Sequence, residues 1–242
     1  MMQPKLHMSG LFAFAWSTFK ARAGFLALLS LLLIVMVVAP LALSMIFQST
    51  GLFITGFVLY VAAICVASTV FTYTMIELAR GKELALAEAF SSWRHTLNYM
   101  GVSIVYSIIV FAGFILFVIP GLVWSLKYML APYIVLGEGK GIGAALKESD
   151  DRTMGYKFDL AALTVLVTAF AYLAILPAYI IIALGAATSG ALFASSMSSD
   201  LGSIVGFSSF AIIGLVLVAV VFWMVACITS LVQSKAYLEL SK

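Results

Sequence analysis

Long stretches without a charged residue constrain this chain more than any other feature. Residues 23–47 contain no Asp, Glu, Lys or Arg and are long enough to cross a bilayer as a helix. Of the 242 residues, 64% are hydrophobic and 10% are charged, whereas soluble domains carry about 25% charged residues. So few charges cannot cover a water-facing surface, and the apolar runs are too continuous for the alternating strands of a β-barrel. The sequence therefore predicts an all-α, polytopic membrane protein.

Six apolar stretches predict six transmembrane helices, at residues 24–46, 52–79, 99–118, 121–137, 159–186 and 204–234. Pro40, Pro132 and Pro177 fall inside three of these helices and are candidate kinks, because proline removes a backbone donor. The Pro-Gly pair at 120–121 predicts a tight turn, and the small, Ser-rich segment 187–203 predicts a mobile connection. A cleaved signal peptide is rejected, because the first apolar run is too long and begins too far into the chain.

An amphipathic segment precedes each pair of predicted membrane helices, at residues 5–20, 83–98 and 141–156. In the second segment, one apolar stripe follows the helical spacing i, i+4, i+7, i+11, at Leu86, Phe90, Trp93 and Leu97. In the first, Trp16 suits the headgroup layer of a membrane. The pattern predicts three helices that lie on the cytoplasmic surface of the bilayer.

The second and third segments also repeat each other. A shift of 58 positions superposes five pairs of identical residues: Gly81/Gly139, Lys82/Lys140, Ala87/Ala145, Ser91/Ser149 and Arg94/Arg152. A weaker copy lies at the N-terminus, where Trp16 and Gly24 precede Trp93 and Gly101 by 77 positions. We therefore expect one membrane domain, residues 1–242, built from three parallel units at about 5–79, 83–137 and 141–234. Parallel units lack the inverted symmetry that supports alternating access in many transporters.

The distribution of basic residues predicts the orientation. Of the 13 Lys and Arg residues, 12 lie in the N-terminal segment, the two charged connections and the C-terminal end. The opposite connections, at 47–51, 119–121 and 187–203, contain none. Because positive charge is retained in the cytoplasm, we expect a multi-pass protein of the bacterial inner membrane with both termini cytoplasmic.

Residues 119–157 contain a Pro-Gly pair, a membrane helix, an Ala-Pro pair before two hydrophobic residues, and a helix of the form AL-x-x-S. The positions are Pro120, Gly121, Ala131, Pro132, Ala145, Leu146 and Ser149. This pattern resembles that of the UPF0259 (YciC-like) family and of the membrane domain attached to some glycerophosphodiester phosphodiesterases. The resemblance implies a six-helix membrane fold. It implies little chemistry, since those phosphodiesterases place catalysis in a separate soluble domain for which this chain has no room.

Lys127 is the first candidate site residue, because it is a cation within a predicted membrane helix. An ammonium at that depth costs a few kcal/mol unless it is paired, hydrated or snorkelling to the interface. One interpretation is a polar cavity in which Lys127 contacts an anion; the other is a lysine paired for structural reasons. Glu77, near the inner end of the second helix, is predicted to be an interfacial carboxylate that meets Arg80, Lys82 or the fourth helix.

Four repeated cations, Lys82, Arg94, Lys140 and Arg152, are candidate contacts for anionic lipid headgroups, worth about 1 kcal/mol each near the surface. The alternative is that these residues only determine the membrane topology. Neighbouring acidic residues also reduce the net positive charge of any basic patch. Asp150 and Asp151 do not form a paired site, because adjacent helical residues point about 100° apart. Cys65 and Cys227 lie in apolar runs, so we expect them to be small packing residues of the membrane helices. They do not have the spacing of a metal-binding motif such as CxxC.

These observations favour a non-catalytic protein of the cell envelope, acting as a scaffold, an accessory subunit or a lipid-interacting factor. The alternative is a small transporter or channel with a polar cavity near Lys127. We expect no enzyme activity, no cofactor, no metal and no nucleic acid. The expected partners are membrane lipids, and a protein partner or second copy packed through small-residue helix faces.

The orientation can be tested by cysteine labelling. A single cysteine at Ser198, in the connection predicted to lie outside the cytoplasm, should react with a membrane-impermeant maleimide in intact cells. Labelling that occurs only after permeabilisation would overturn the predicted topology.

Overall fold

The protein is helical throughout the part of the chain that the structure describes. The computed structural model describes residues 8–46, 50–195 and 201–241. Within these ranges lie nine α-helices: α1 Met8–Ile46, α2 Thr50–Ala79, α3 Leu86–Ser91, α4 Thr96–Leu116, α5 Val118–Tyr128, α6 Ala131–Glu138, α7 Ile142–Thr153, α8 Lys157–Ser195 and α9 Leu201–Leu240. A 3-10 turn, Ser92–His95, joins α3 to α4. The prediction of an all-α protein is confirmed.

Six stretches of the described residues are long and apolar enough to cross a membrane: Met8–Pro40, Gly51–Ala79, Leu86–Leu116, Val118–Glu138, Lys157–Ala174 and Val218–Leu240. Each overlaps one of the six predicted transmembrane helices. Many of their large apolar side chains are exposed, as lipid-facing surfaces require. The six helices support a multi-pass membrane protein. Ser198, the proposed labelling position, lies outside the described residues.

Two connections differ from the sequence prediction. Residues 187–195 continue α8 and residues 201–203 begin α9, so these parts of the predicted mobile connection are helical. The chain reverses at Phe117, whose extended backbone (φ −169°, ψ 160°) separates α4 from α5. The Pro-Gly pair at 120–121 therefore lies in the first turn of α5, where the missing proline N–H has no helical partner to lose.

Two predicted helices are bent or divided. α1 bends at Arg22 (φ −120°, ψ 15°), which sets residues 8–21 apart as a separate helical segment. The predicted fourth membrane helix is divided into α5 and α6 at residues 129–130. Pro132 then lies in the first turn of α6, where proline is tolerated. Pro40 and Pro177 lie inside α1 and α8.

The chain forms two compact units, Met1–Ala161 with Ser230–Lys242, and Ala162–Thr229. In the first unit, one apolar cluster joins α1, α2 and α3 through Leu29, Leu33, Val70 and Ala89. A larger cluster joins α2, α4, α6, α7 and the end of α9 through Ile76, Val102, Leu130, Ala131, Ile134, Val135, Leu136, Ala145 and Tyr237. The second unit consists of the remaining parts of α8 and α9 and buries Leu163, Val167, Val225, Cys227 and Ile228.

Two glycines allow α4 and α5 to pack closely. A Cβ atom added at Gly113 would lie 2.8 Å from the Cα of Gly121. One added at Gly121 would lie 2.6 Å from the ring of Phe114 and 2.8 Å from its backbone nitrogen. Both glycines are buried. Small residues at such crossings let membrane helices approach each other closely.

Gly121→Ala should therefore destabilise the protein by about 1–3 kcal/mol, because a backbone atom cannot move aside as a flexible side chain does. Gly24→Ala is the matched control, since a Cβ atom there meets nothing within 4 Å. Thermal unfolding in detergent should show a lower midpoint for Gly121→Ala only. Equal midpoints for the two variants would contradict the close crossing.

Candidate functional site

Two glycine corners place the charged residues of the first unit. α2 and α6 both end before a glycine in the left-handed region, Gly81 at φ 80° and Gly139 at φ 67°. This conformation favours glycine and ends a helix by turning the chain. Each glycine precedes a lysine, Lys82 or Lys140, that folds back onto a glutamate near the end of the helix. The repeated Gly-Lys pairs thus occupy similar corners.

Glu138, at the end of α6, lies at the centre of a cluster of polar groups. Its carboxylate is 2.9 Å from Lys140 Nζ and 2.7 Å from Arg152 Nη1, and it accepts a 2.8 Å hydrogen bond from the hydroxyl of Tyr237. Lys140 and Arg152 also form ion pairs with Glu148. The guanidinium of Arg152 lies 5.8 Å from the centre of the Tyr237 ring. Three helices, α6, α7 and α9, therefore converge on one carboxylate.

A second carboxylate connects α2 to the same place. Glu77 is buried, with 2% of its surface exposed, and forms ion pairs with Arg80 and with Lys82, the latter at 2.6 Å. Arg80 Nη2 donates a 2.8 Å hydrogen bond to the carbonyl of Gly137. Gly137 has no room for a side chain, because a Cβ atom there would lie 2.7 Å from the Tyr237 hydroxyl. Buried Glu77 thus meets both cations that the sequence suggested, and Arg80 links it to α6.

We call this set of residues the polar clamp: Glu77, Arg80, Lys82, Gly137, Glu138, Lys140, Glu148, Arg152 and Tyr237. It ties the C-terminal ends of α2, α6, α7 and α9. Three carboxylates face four cations there, a formal net charge of +1. Cations at helix C-termini also interact favourably with the negative ends of the helix dipoles.

Three clamp cations, Lys82, Lys140 and Arg152, remain charged over the physiological range. Hydrogen bonds to Glu148 and Glu138 raise the pKa of Lys140, and the bond to Glu77 raises that of Lys82. Burial would lower the pKa of Arg152, but its hydrogen bond to Glu138 and the nearby carboxylates raise it above its ordinary value. These shifts favour folding while the cations are protonated, and this contribution disappears only when the pH rises through their raised pKa values.

Lys127, in the last turn of α5, forms an ion pair with Asp150 of α7. The Nζ–Oδ2 distance is 2.9 Å, and the two side chains are 26% and 28% exposed. The ammonium also lies 5.2 Å from the centre of the Tyr128 ring. The charge of Lys127 is therefore compensated by a carboxylate, as the structural interpretation of this lysine requires.

Two hydroxyl groups fasten α7 to the end of α5. Ser149 Oγ donates to the carbonyl of Lys127 at 2.8 Å, and the hydroxyl of Thr153 is shared between that carbonyl, at 3.3 Å, and the carbonyl of Asp150, at 3.1 Å. The last carbonyls of a helix have no partner within it, so these hydroxyls satisfy a group that the division of α5 from α6 leaves free. Ala145, Ser149 and Thr153 are all fully buried. The side of α7 that carries them is the one packed against the membrane helices.

α3, its 3-10 turn and the first residue of α4 bury the same three residue types, at Ala89, Ser92 and Thr96. These lie 56 or 57 positions before Ala145, Ser149 and Thr153, whereas the glycine and lysine pairs differ by 58. Ala87 and Ser91, which the sequence alignment pairs with Ala145 and Ser149, are exposed. The predicted apolar stripe also divides: Leu86 and Phe90 pack against the α1–α2 cluster, while Trp93 and Leu97 are 58% and 85% exposed.

Three of the four cations that were candidates for lipid-headgroup contacts form ion pairs with carboxylates of the protein. Lys82, Lys140 and Arg152 all belong to the polar clamp. Arg94 is exposed and forms no ion pair with any residue that the structure describes. The carboxylate partners change which cations remain available to a lipid.

The basic segments meet at one end of the first unit. Arg22 of α1 pairs with Glu83 after the Gly81 corner, and Lys235 of α9 lies 4.5 Å from the Phe14 ring of α1. On α6, Tyr133 donates a 2.8 Å hydrogen bond to Gln233 and stacks on Tyr237 with 5.9 Å between ring centres. These contacts, together with the clamp, hold the N-terminal segment, both charged corners and the end of α9 in one assembly.

Sequence reasoning identified several cations of this site but missed most of their partners. The sequence gives no reason to pair Asp150 with Lys127, and no local motif marks Glu138, Gly137, Tyr237 or Gln233 as site residues.

An open depression of about 540 Å³ beside the clamp is lined by Ala144, Lys147, Glu148, Asp151 and Arg152. Among the described residues, no group of three or more His, Cys, Asp or Glu is placed to hold a metal ion.

Comparisons of the chain with protein families, with curated proteins and with solved structures gave no match.

The Lys127–Asp150 pair can be measured with a double-mutant cycle. Lys127→Met should lower stability by about 1 kcal/mol or more, because Asp150 loses its partner. Adding Asp150→Asn should recover part of that loss, since the remaining group is neutral. Thermal unfolding of the two single variants and the double variant in detergent gives the coupling energy. Strictly additive losses would show that the pair contributes no stability.

Proposed function

We propose that this protein is a non-catalytic integral membrane protein of the bacterial inner membrane, with both termini cytoplasmic. It acts as a scaffold or accessory subunit that presents a rigid, charged surface to the cytoplasm. The observation that carries the proposal is the polar clamp, in which charges at four helix ends are used to hold the helices together. Ion pairs of this kind, with hydrogen bonds that complete them, fix relative helix positions.

The three-unit organisation and the family belong to this proposal. Its support is the pair of Gly-Lys corners and the buried Ala-Ser-Thr set that follows each of them. The bend at Arg22 sets residues 8–21 of α1 apart from the rest of the helix, as a third surface segment would require. Membership of the UPF0259 family rests on the pattern from Pro120 to Ser149 and on the six-helix fold.

The alternative function, a transporter with Lys127 in a polar cavity, has weaker support. Asp150 accounts for the charge of Lys127 without any transported ligand. Pro132, one of the predicted kinks, lies at a helix N-terminus where it requires no special role. The carbonyl of Lys127 is occupied by hydroxyl groups of α7. We therefore favour the scaffold.

The surface that we assign to a protein partner is the depression on α7. Two exposed residues of opposite charge, Lys147 and Asp151, line this depression. The partner should therefore carry charges in a complementary mixed pattern. The rigid attachment of α7, through Ser149, Thr153 and Asp150, holds this surface in a fixed position relative to the membrane helices.

The proposal predicts a partner that is lost on charge reversal in the depression. The tagged protein, purified in mild detergent, should retain specific proteins that are identified by mass spectrometry, and Asp151→Lys should release them. Glu88→Lys, a reversal at an exposed position on α3, is the matched control and should retain them. Reversal of a surface charge on a complementary patch costs several kcal/mol, enough for complete loss in a pull-down.

Recovery of the same proteins with Asp151→Lys would show that the depression is not the surface that binds the partner. A purified protein that carries no partner, but moves a solute across reconstituted vesicles in a manner abolished by Lys127→Met, would replace the scaffold with the transporter.

A further inference from the structure

In the first unit, one cation lies over an exposed aromatic ring, and two others are next to such a ring in the chain. Lys20 Nζ is 4.8 Å from the centre of the Trp16 ring, which is 43% exposed. Arg94 follows Trp93 in the chain, and that ring is 58% exposed. Lys157 precedes Phe158, which is 91% exposed. In a membrane protein, exposed rings of this size are available to the lipid.

Each pair lies where the chain passes from a charged segment into a membrane helix. Trp16 and Lys20 come just before the bend at Arg22 in α1. Trp93 and Arg94 belong to the 3-10 turn that leads into α4, and Lys157 and Phe158 begin α8. These junctions are the positions at which a transmembrane helix crosses the headgroup layer, where aromatic rings are enriched.

These cations differ from those of the polar clamp. Lys82, Lys140 and Arg152 face carboxylates at 2.6–2.9 Å, so their charge is compensated within the protein. Within the described part of the chain, no ion pair is formed by Lys20, Arg94 or Lys157. Lys147 and Lys235 form no ion pair there either, but Lys20, Arg94 and Lys157 are the ones next to strongly exposed rings.

We propose that these three pairs bind the phosphate groups of anionic lipids in the leaflet that the basic end of the protein faces. The ring inserts among the upper acyl chains, and the adjacent cation reaches the phosphate above it. Three such contacts, one at the start of each hairpin, fix the depth of the protein in the leaflet. The inference goes beyond the proposed scaffold. It assigns the lipid contacts expected from the sequence to Lys20, Arg94 and Lys157, in place of three of the four repeated cations.

Tryptophan quenching by brominated lipids tests this assignment in the full-length protein. A variant that keeps Trp93 alone, with Trp16, Trp124 and Trp223 replaced by Phe, is reconstituted into phosphatidylcholine vesicles. Equal fractions of brominated phosphatidylglycerol or brominated phosphatidylcholine are then added. Quenching should show an about fivefold preference for the anionic lipid next to Trp93, the ratio that one cation near the surface supplies.

Arg94→Gln in the variant that keeps Trp93 alone should abolish the preference, so that the two brominated lipids quench about equally. Lys82→Gln is the matched control, because it removes one basic charge from the same region but from a lysine paired with Glu77. It should leave the preference unchanged. A variant that keeps Trp16 alone reports on Lys20→Gln in the same way.

Raising the ionic strength provides a measurement that needs no substitution of Arg94. Screening should lower the preference of the Trp93 variant toward onefold, because an exposed cation is attracted to the headgroup through water. Equal quenching by the two lipids at low salt would overturn the proposal, and so would an equal loss in Arg94→Gln and Lys82→Gln. Neither result would affect the recovery of a protein partner, so this inference and the scaffold fail separately.

Discussion

The cost of an unpaired charge next to hydrocarbon governs the design of this protein. Six apolar helices leave few positions for charged groups, and several charges at the helix ends are paired across elements. Glu138 is the centre of this arrangement, since Lys140, Arg152 and Tyr237 all reach it. Removing one partner would leave the others with an uncompensated charge, which is far more costly than the pair is stabilising. The clamp therefore restricts how α2, α6, α7 and α9 can be arranged.

The same constraint explains how α7, the most charged helix of the chain, packs closely against membrane helices. Its buried side carries small residues and hydroxyls, and the hydroxyls satisfy the free carbonyl of Lys127. Its charged residues divide between the ion pairs with α5 and α6 and the open depression. One short helix thus joins the membrane helices to the surface that we assign to a partner.

Composition and periodicity were sufficient to predict six membrane helices, because length and apolar content are local properties. They also identified the Gly-Lys corners, since glycine at a positive φ leaves a trace in the sequence. They could not predict that Lys127 faces Asp150, because the two residues lie on different helices. The sequence alignment failed at Ala87 and Ser91 for a physical reason. The segment between Gly81 and α3 is two residues longer than the segment between Gly139 and α7, so the buried alanine moves from position 87 to position 89. The 3-10 turn after α3, with three residues per turn, then brings the buried serine one position closer to that alanine than in α7.

The first unit is discontinuous in the chain, and this has a consequence for biogenesis. Tyr237 and Gln233 are made about a hundred residues after Glu138 and Tyr133, the groups with which they form hydrogen bonds. While the ribosome is still producing α8 and α9, the end of α6 is in the membrane without these partners. Completion of this part of the molecule is therefore a late event in synthesis, and a nascent chain that stalls before α9 offers quality-control proteases an unfinished polar surface.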